Sequence, residues 1–110
     1  MKKIAVFPGS FDPFTRAHED LVHRGLTLFD EIEIAIGVNS SKQGLLPVDI
    51  RQAAIEAVFA QYPRVRVSTF QGLTVRYCTV LGAKFILRGL RNGGDLEFEH
   101  AIAQNNLILN

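Results

Sequence analysis

The residues best placed to do chemistry sit in one early stretch, Gly9-Ser10-Phe11-Asp12-Pro13-Phe14-Thr15-Arg16-Ala17-His18. It follows the apolar run Ile4-Ala5-Val6-Phe7 and leads into an amphipathic segment from Glu19 to Phe29. A buried strand, a Gly/Pro turn with a hydroxyl and a histidine at a helix start make a phosphate-handling site at a β–α junction. Free backbone N–H groups and the positive helix end attract an anion there. Ser10 can donate a hydroxyl hydrogen bond to a phosphate where the chain turns sharply at Gly9. Asp12 is expected to fasten the turn through its backbone, because a carboxylate repels phosphate. His18 can donate from a ring N–H without carrying net charge. His23 and His100 have no such context and read as helix-surface residues.

Three further groups extend the same chemistry. Lys42 lies in a loop otherwise made of Ser, Gln and Gly. Arg88 and Arg91 belong to Arg-Gly-Leu-Arg, where arginine forks match phosphate oxygens and Gly89 lets the backbone approach a ligand. Phe98-Glu99 follow on the last expected helix. Glu99 could accept from ribose hydroxyls or be an ordinary solvated carboxylate. No His/Cys/Asp/Glu cluster has metal-site spacing, so no protein side chain is assigned to a metal and any Mg²⁺ would ride on nucleotide phosphates. With no obvious covalent nucleophile, Walker A loop or G-x-G-x-x-G fingerprint, the expected site works by position and charge.

The elements that must hold these groups alternate along the chain. Lys3–Phe7 reads as a buried strand, Ile32–Val38 as a second, Val65–Phe70 as a third and Lys84–Leu87 as a fourth. Between them, Leu21, Val22, Leu28 and Phe29 form one helical stripe. After the polar loop from Asn39 to Pro47, Ile50, Ala53, Ala54, Ala57 and Val58 repeat on one helical face until Tyr62-Pro63. Leu73–Leu81 reads as a short helix ended by Gly82, and Asp95 to about Leu109 as a last one. This order predicts an α/β fold: a Rossmann-like, doubly wound parallel sheet with right-handed crossovers. Ligands bind such sheets beyond the strands' carboxyl ends, at the switch in strand order. Gly9–His18, Asn39–Lys42 and Arg88–Arg91 all fall there.

The 110 residues suit one domain, residues 1–110, and the net charge of +1 gives no footprint for nucleic acid. No run approaches a transmembrane length, and the N-terminus lacks a signal-peptide core, which predicts a cytoplasmic protein with no membrane partner. Cys78 stands alone and reads as a small buried apolar residue on a helix.

These residues resemble the phosphopantetheine adenylyltransferase family of the nucleotidyltransferase superfamily. The resemblance runs over the whole chain. It includes Pro8-Gly9-Ser10-Phe11-Asp12-Pro13, Thr15 and His18, Phe29-Asp30, Ser41-Lys42, Arg88-Gly89-Leu90-Arg91 and Glu97-Phe98-Glu99. The first motif belongs to the superfamily, and the others narrow it to the family. The resemblance implies direct in-line transfer of an adenylyl group from ATP to 4′-phosphopantetheine, with Mg²⁺ as cofactor. It makes His18 the transition-state stabiliser, with Lys42 and Arg88 as further catalytic residues. Ser10, Lys42, Thr74 and Arg88 match acceptor-binding positions. Ser10, Phe11, His18, Gly89, Leu90, Arg91 and Glu99 match nucleotide-binding ones. A homohexamer is implied too.

Two departures stand out. Ala17 occupies a position where the family has Gly, and family members continue past Asn110 with a further strand, a Ser/Thr-rich nucleotide loop and terminal helices. An incomplete C-terminus is therefore expected, with weak transfer activity and strand four or another sheet edge left open. The alternatives are another nucleotidyltransferase of the superfamily, of cytidylyl or nicotinamide-mononucleotide type, or a non-catalytic nucleotide-binding or assembly module.

Overall fold

Apolar, β-branched runs become strands and the periodic segments between them become helices. The computed structural model contains β1 (Ile4–Gly9), α1 (Arg16–Gly25), β2 (Glu31–Gly37), α2 (Val48–Val58), β3 (Val65–Phe70), β4 (Phe85–Gly89) and β5 (Leu96–His100). The structure describes residues 2–38, 46–71, 76–77 and 81–89, and the backbone alone of 96–100. The strands form one sheet in the order β3-β2-β1-β4-β5. The first four are parallel, with Ala5 opposite Phe85 and Ile32 opposite Val65, whereas β5 runs antiparallel to β4. The chain winds outward from β1 through β2 to β3, then returns to place β4 on the other flank of β1. The switch point thus lies between β1 and β4, at the carboxyl end of β1.

Period-two alternation decides what each face of the sheet buries. Ala5, Phe7, Ile32, Ile34, Ile36 and Leu87 face a core completed by Leu21 and Val22 of α1 and by Ile55 and Phe59 at α2. The opposite face carries Val6, Ala35, Ala83 and Ile86, packed against Ile4, Phe70, Tyr77 and Leu81. Helix α1 docks closely because it ends on a glycine. A Cβ on Gly25 would lie 2.8 Å from Ile32 Cδ1 and 3.1 Å from Leu87 Cδ2, inside packed side chains. Three carbonyls beyond α1 are taken by one residue. Arg64 Nη2 donates to the carbonyls of Leu26 and Phe29 at 2.7 Å each, and its Nε to that of Asp30 at 2.8 Å.

Several expectations need correction. Helix α1 begins at Arg16 rather than Glu19, because Thr15 caps it. Helix α2 turns Arg51, Ile55 and Phe59 inward, one residue every four. Ile50, Ala53, Ala54, Ala57 and Val58, the apolar face read from periodicity, are exposed. Both faces of this alanine-rich helix are apolar enough to be buried, so periodicity chose the wrong one. His23 is half-buried, its ring 5.7 Å from Phe59 and 5.2 Å from Tyr62, so it packs α1 against the end of α2.

The expected last helix is replaced at its start by β5. Leu96-Glu97-Phe98-Glu99-His100 alternates apolar and polar residues, and the unpaired edge of β4 offers it a ladder. Of the two expected alternatives, strand four or another sheet edge left open, the first is thereby corrected: β4 is paired on both sides, and the sheet ends on β3 and β5. Most of the expected helix at 73–81, Cys78 included, lies outside the described residues, as does the chain after His100.

Candidate active site

The turn leaving β1 is built around an aromatic ring folded back on its own strand. Phe11 has φ 49°, a left-handed conformation costly for a bulky residue, and its side chain is only 4% exposed. The ring lies under Gly9, where an added Cβ would come within 2.9 Å of Phe11 Cζ. Phe7 meets Phe11 edge-on at 5.1 Å between centroids, and Phe14 lies 5.5 Å from it. Gly9 is thus needed for close approach, and the turn's strain is held by packing. Gly9→Ala should displace the Phe11 ring and destabilise the fold by about 1–3 kcal/mol. Thermal unfolding of the variant, with aromatic NMR shifts of Phe11 and His18, checks this.

The same rings set the environment of His18. Its imidazole lies 5.1 Å from Phe11 in a T-shaped contact, 5.3 Å from Phe14 and 6.1 Å from Phe7. Thr15 is the N-cap of α1 and His18 its third residue, so the two make a reciprocal cap. The Thr15 backbone N–H donates to His18 Nδ1 at 2.9 Å, and Thr15 Oγ1 lies 3.1 Å from the same nitrogen and accepts from the His18 N–H at 3.4 Å. A backbone donor leaves Nδ1 only the role of acceptor. In the neutral ring the proton is therefore on Nε2, which is left as the donor for a ligand.

Burial among the three rings lowers the pKa of His18 below the ordinary imidazole value. Protonating Nδ1 would also turn the Thr15 bond into a clash of two donors. The unfolded chain thus binds more protons than the folded one just below the ordinary value of about 6.5. His18 contributes stability that is full above about pH 6.5 and is lost as pH falls through the folded value. In melting curves from about pH 7.5 to pH 5, the unmodified protein should lose stability on acidification that His18→Gln does not lose.

Two bridges tie this turn to the residues entering α2. Asp12 Oδ1 accepts from the Leu46 N–H at 2.9 Å, so the carboxylate reaches across to another segment rather than only fastening its own turn. Arg51, 8% exposed, donates from Nη1 to the Ser10 carbonyl at 2.7 Å and from Nε to the Leu46 carbonyl at 3.0 Å. Sequence reasoning passed over Arg51 because it sought apolar residues on α2. The signal was its spacing, four residues before Ile55 and eight before Phe59.

The β1–α1 turn brings Ser10, Phe11 and His18 together, with Ser10 exposed and His18 half-buried. Phe11 cannot stack on a base with its ring buried, so only its main chain is available to a ligand. Arg88 and Gly89 end β4, beside β1; with Val6 opposite Ile86, exposed Arg88 lies two residues on, level with Pro8. Glu99 is on a strand, its Cα opposite Ile86. It lies three residue pairs, about 10 Å, down from the ligand end of β4 at Gly89. Lys42, Thr74, Leu90 and Arg91 lie outside the described residues. Among the described residues there is no group of three or more potential metal ligands, and no helix long and apolar enough to cross a membrane.

A mainly parallel sheet with a strained, histidine-capped turn at its switch point is the arrangement of a nucleotidyltransferase enzyme. In agreement, the model of the cytidylyltransferase-like family matches residues 6–110. A phosphopantetheine adenylyltransferase of Cytophaga hutchinsonii is 49% identical over 109 residues, covering 99% of this chain and 73% of its own. One from Christiangramia forsetii is 53% identical over 106 residues, 96% of this chain and 70% of its own. One from Flavobacterium psychrophilum is 52% identical over 102 residues, 93% and 68% respectively. The chain belongs to the phosphopantetheine adenylyltransferase family.

Proposed function

We propose that the protein transfers the adenylyl group of ATP to 4′-phosphopantetheine, giving dephospho-coenzyme A and pyrophosphate. An oxygen of the acceptor phosphate attacks the α-phosphorus of ATP. The bond from that phosphorus to the oxygen bridging to the β-phosphate breaks, and pyrophosphate leaves. The observation that carries this reading is the neutral His18 at the N-terminus of α1. Its Nε2–H is a donor set in place by Thr15, suited to the charge that grows on the α-phosphate oxygens. Ser10 and Lys42 orient the acceptor phosphate, Arg88 contacts it, and Thr74 meets the pantetheine arm through its backbone. The main chain of Phe11 and Gly89, together with Leu90 and Arg91, hold the nucleotide. The donors on this turn suit phosphate oxygens, so Mg²⁺ would be carried by the nucleotide phosphates and would neutralise their charge.

The test is pyrophosphate release with ATP and 4′-phosphopantetheine, beside CTP and nicotinamide mononucleotide as competitor donor and acceptor. Turnover with the first pair only supports the reading. Turnover with another pair instead, or nucleotide binding without turnover, refutes it.

Ala17 sits exposed in the first turn of α1, where the nucleotide would lie against the backbone. Ala17→Gly should tighten ATP by about ten- to a hundredfold, the usual cost of an intruding methyl group. The same change should slightly lower the melting temperature, since Gly is the poorer helix former. Calorimetry and melting of the same pair of proteins check both signs.

A further inference from the structure

Among the described residues, the buried arginine of α2 pairs with no carboxylate. Its hydrogen bonds among these residues go to two main-chain carbonyls, those of Ser10 and Leu46. Carbonyl oxygens satisfy two of its donors but bring no full negative charge to a site only 8% exposed. Burying a cation in this way is costly unless something opposes the charge. Arg51 is also the inward-facing residue of α2 nearest the turn assigned to the acceptor phosphate.

We propose that Arg51 is a positioning residue for the acceptor-phosphate end of the site: its guanidinium fork clamps the Ser10 main chain to Leu46, and the bound phosphate supplies a counter-charge. The proposal rests on the reading of Ser10 as a phosphate contact. The mechanical part follows from planarity. A guanidinium reaching two carbonyls through different nitrogens fixes both distance and orientation, which an ammonium on a flexible stem cannot do. Ser10 follows Gly9 and precedes the strained Phe11, so its carbonyl is a point at which the turn can rotate. Locking that carbonyl sets the direction of the Ser10 side chain and of the next N–H. Asp12 completes the fastening from the other side through the Leu46 N–H. Arg51 itself need not touch the ligand, and the nucleotide contacts on α1 do not depend on it.

The experiment uses the full chain with Arg51→Met and Arg51→Lys, whose folding is followed by thermal melting. Binding of 4′-phosphopantetheine and of ATP is measured by calorimetry, and the Ser10 amide is followed by NMR during titration with inorganic phosphate. In both variants the acceptor should weaken about tenfold or more with ATP affinity kept within about threefold, and the free Ser10 and Leu46 amides should shift while those of β3 do not. Equal weakening of both ligands would make Arg51 merely structural and overturn the proposal. Full recovery in Arg51→Lys would overturn the clamp, since charge alone would then suffice. Should Arg51→Met fail to fold, Arg51→Lys decides the matter by the same two ratios. If the unmodified chain moves Ser10 with inorganic phosphate but does not bind 4′-phosphopantetheine, the substrate reading fails, and loss of that phosphate response in the variants still supports Arg51. No response of Ser10 to phosphate in the unmodified chain would overturn the proposal, because Arg51 would have no anion to position.

Discussion

His18→Ala should reduce the rate of adenylyl transfer by about a hundred- to a thousandfold, the usual cost of removing one fixed donor to a developing oxyanion. ATP affinity should change by no more than a few-fold, because ground-state α-phosphate oxygens carry less charge than those of the pentacovalent state. The expected effect rests on a donor that needs no reorganisation. Nδ1 is held by the Thr15 N–H, the ring is wedged among Phe7, Phe11 and Phe14, and the helix N-terminus adds its own positive field. Single-turnover rates beside ATP binding make the comparison. A parallel fall in rate and affinity would make His18 a ground-state binder instead.

Arg88→Ala and Lys42→Ala should weaken 4′-phosphopantetheine far more than ATP, whereas Arg91→Ala should do the reverse. Each removes a charge-assisted contact worth roughly 1.5–3 kcal/mol, or about ten- to a hundredfold in affinity. Arg88 ends β4 level with the start of the β1 turn, which places it across the switch point from Ser10. Arg88→Lys should recover only part of the loss, since an ammonium cannot make the two parallel bonds of a guanidinium. Calorimetric titration of each variant with each ligand is the check. If all three variants lose the same ligand equally, the division into two subsites is wrong.

Much of this organisation was legible in the chain itself. Val65–Phe70 is a strand with the expected bounds, because alternating β-branched residues between a Pro turn and a polar stretch leave little choice. The parallel order of β1 to β4 followed from strands alternating with helices, and the turn carrying Gly9, Ser10 and His18 was legible as a strand end running into a helix start. The misreadings share one cause. Ile50 and the alanines of α2 form as good a stripe as Arg51, Ile55 and Phe59, and a helix does not carry the identity of its neighbour. Glu97 to Glu99 was read as helix, yet alternation and an unfilled sheet edge made it a strand.

Local chemistry within the sequence determined the parallel core, the turn between β1 and α1 and the family, since these depend on patterns a few residues long. Only the tertiary structure decided which nitrogen of His18 carries the proton, why Phe11 tolerates a left-handed backbone, and that Arg51 faces inward. Each of those depends on atomic geometry: a cap N–H three residues back against a ring nitrogen, three rings around an imidazole, and a carbonyl 41 residues away in the chain. Burial and hydrogen bonding of such groups are set by what surrounds them in space, which no run of neighbouring residues encodes.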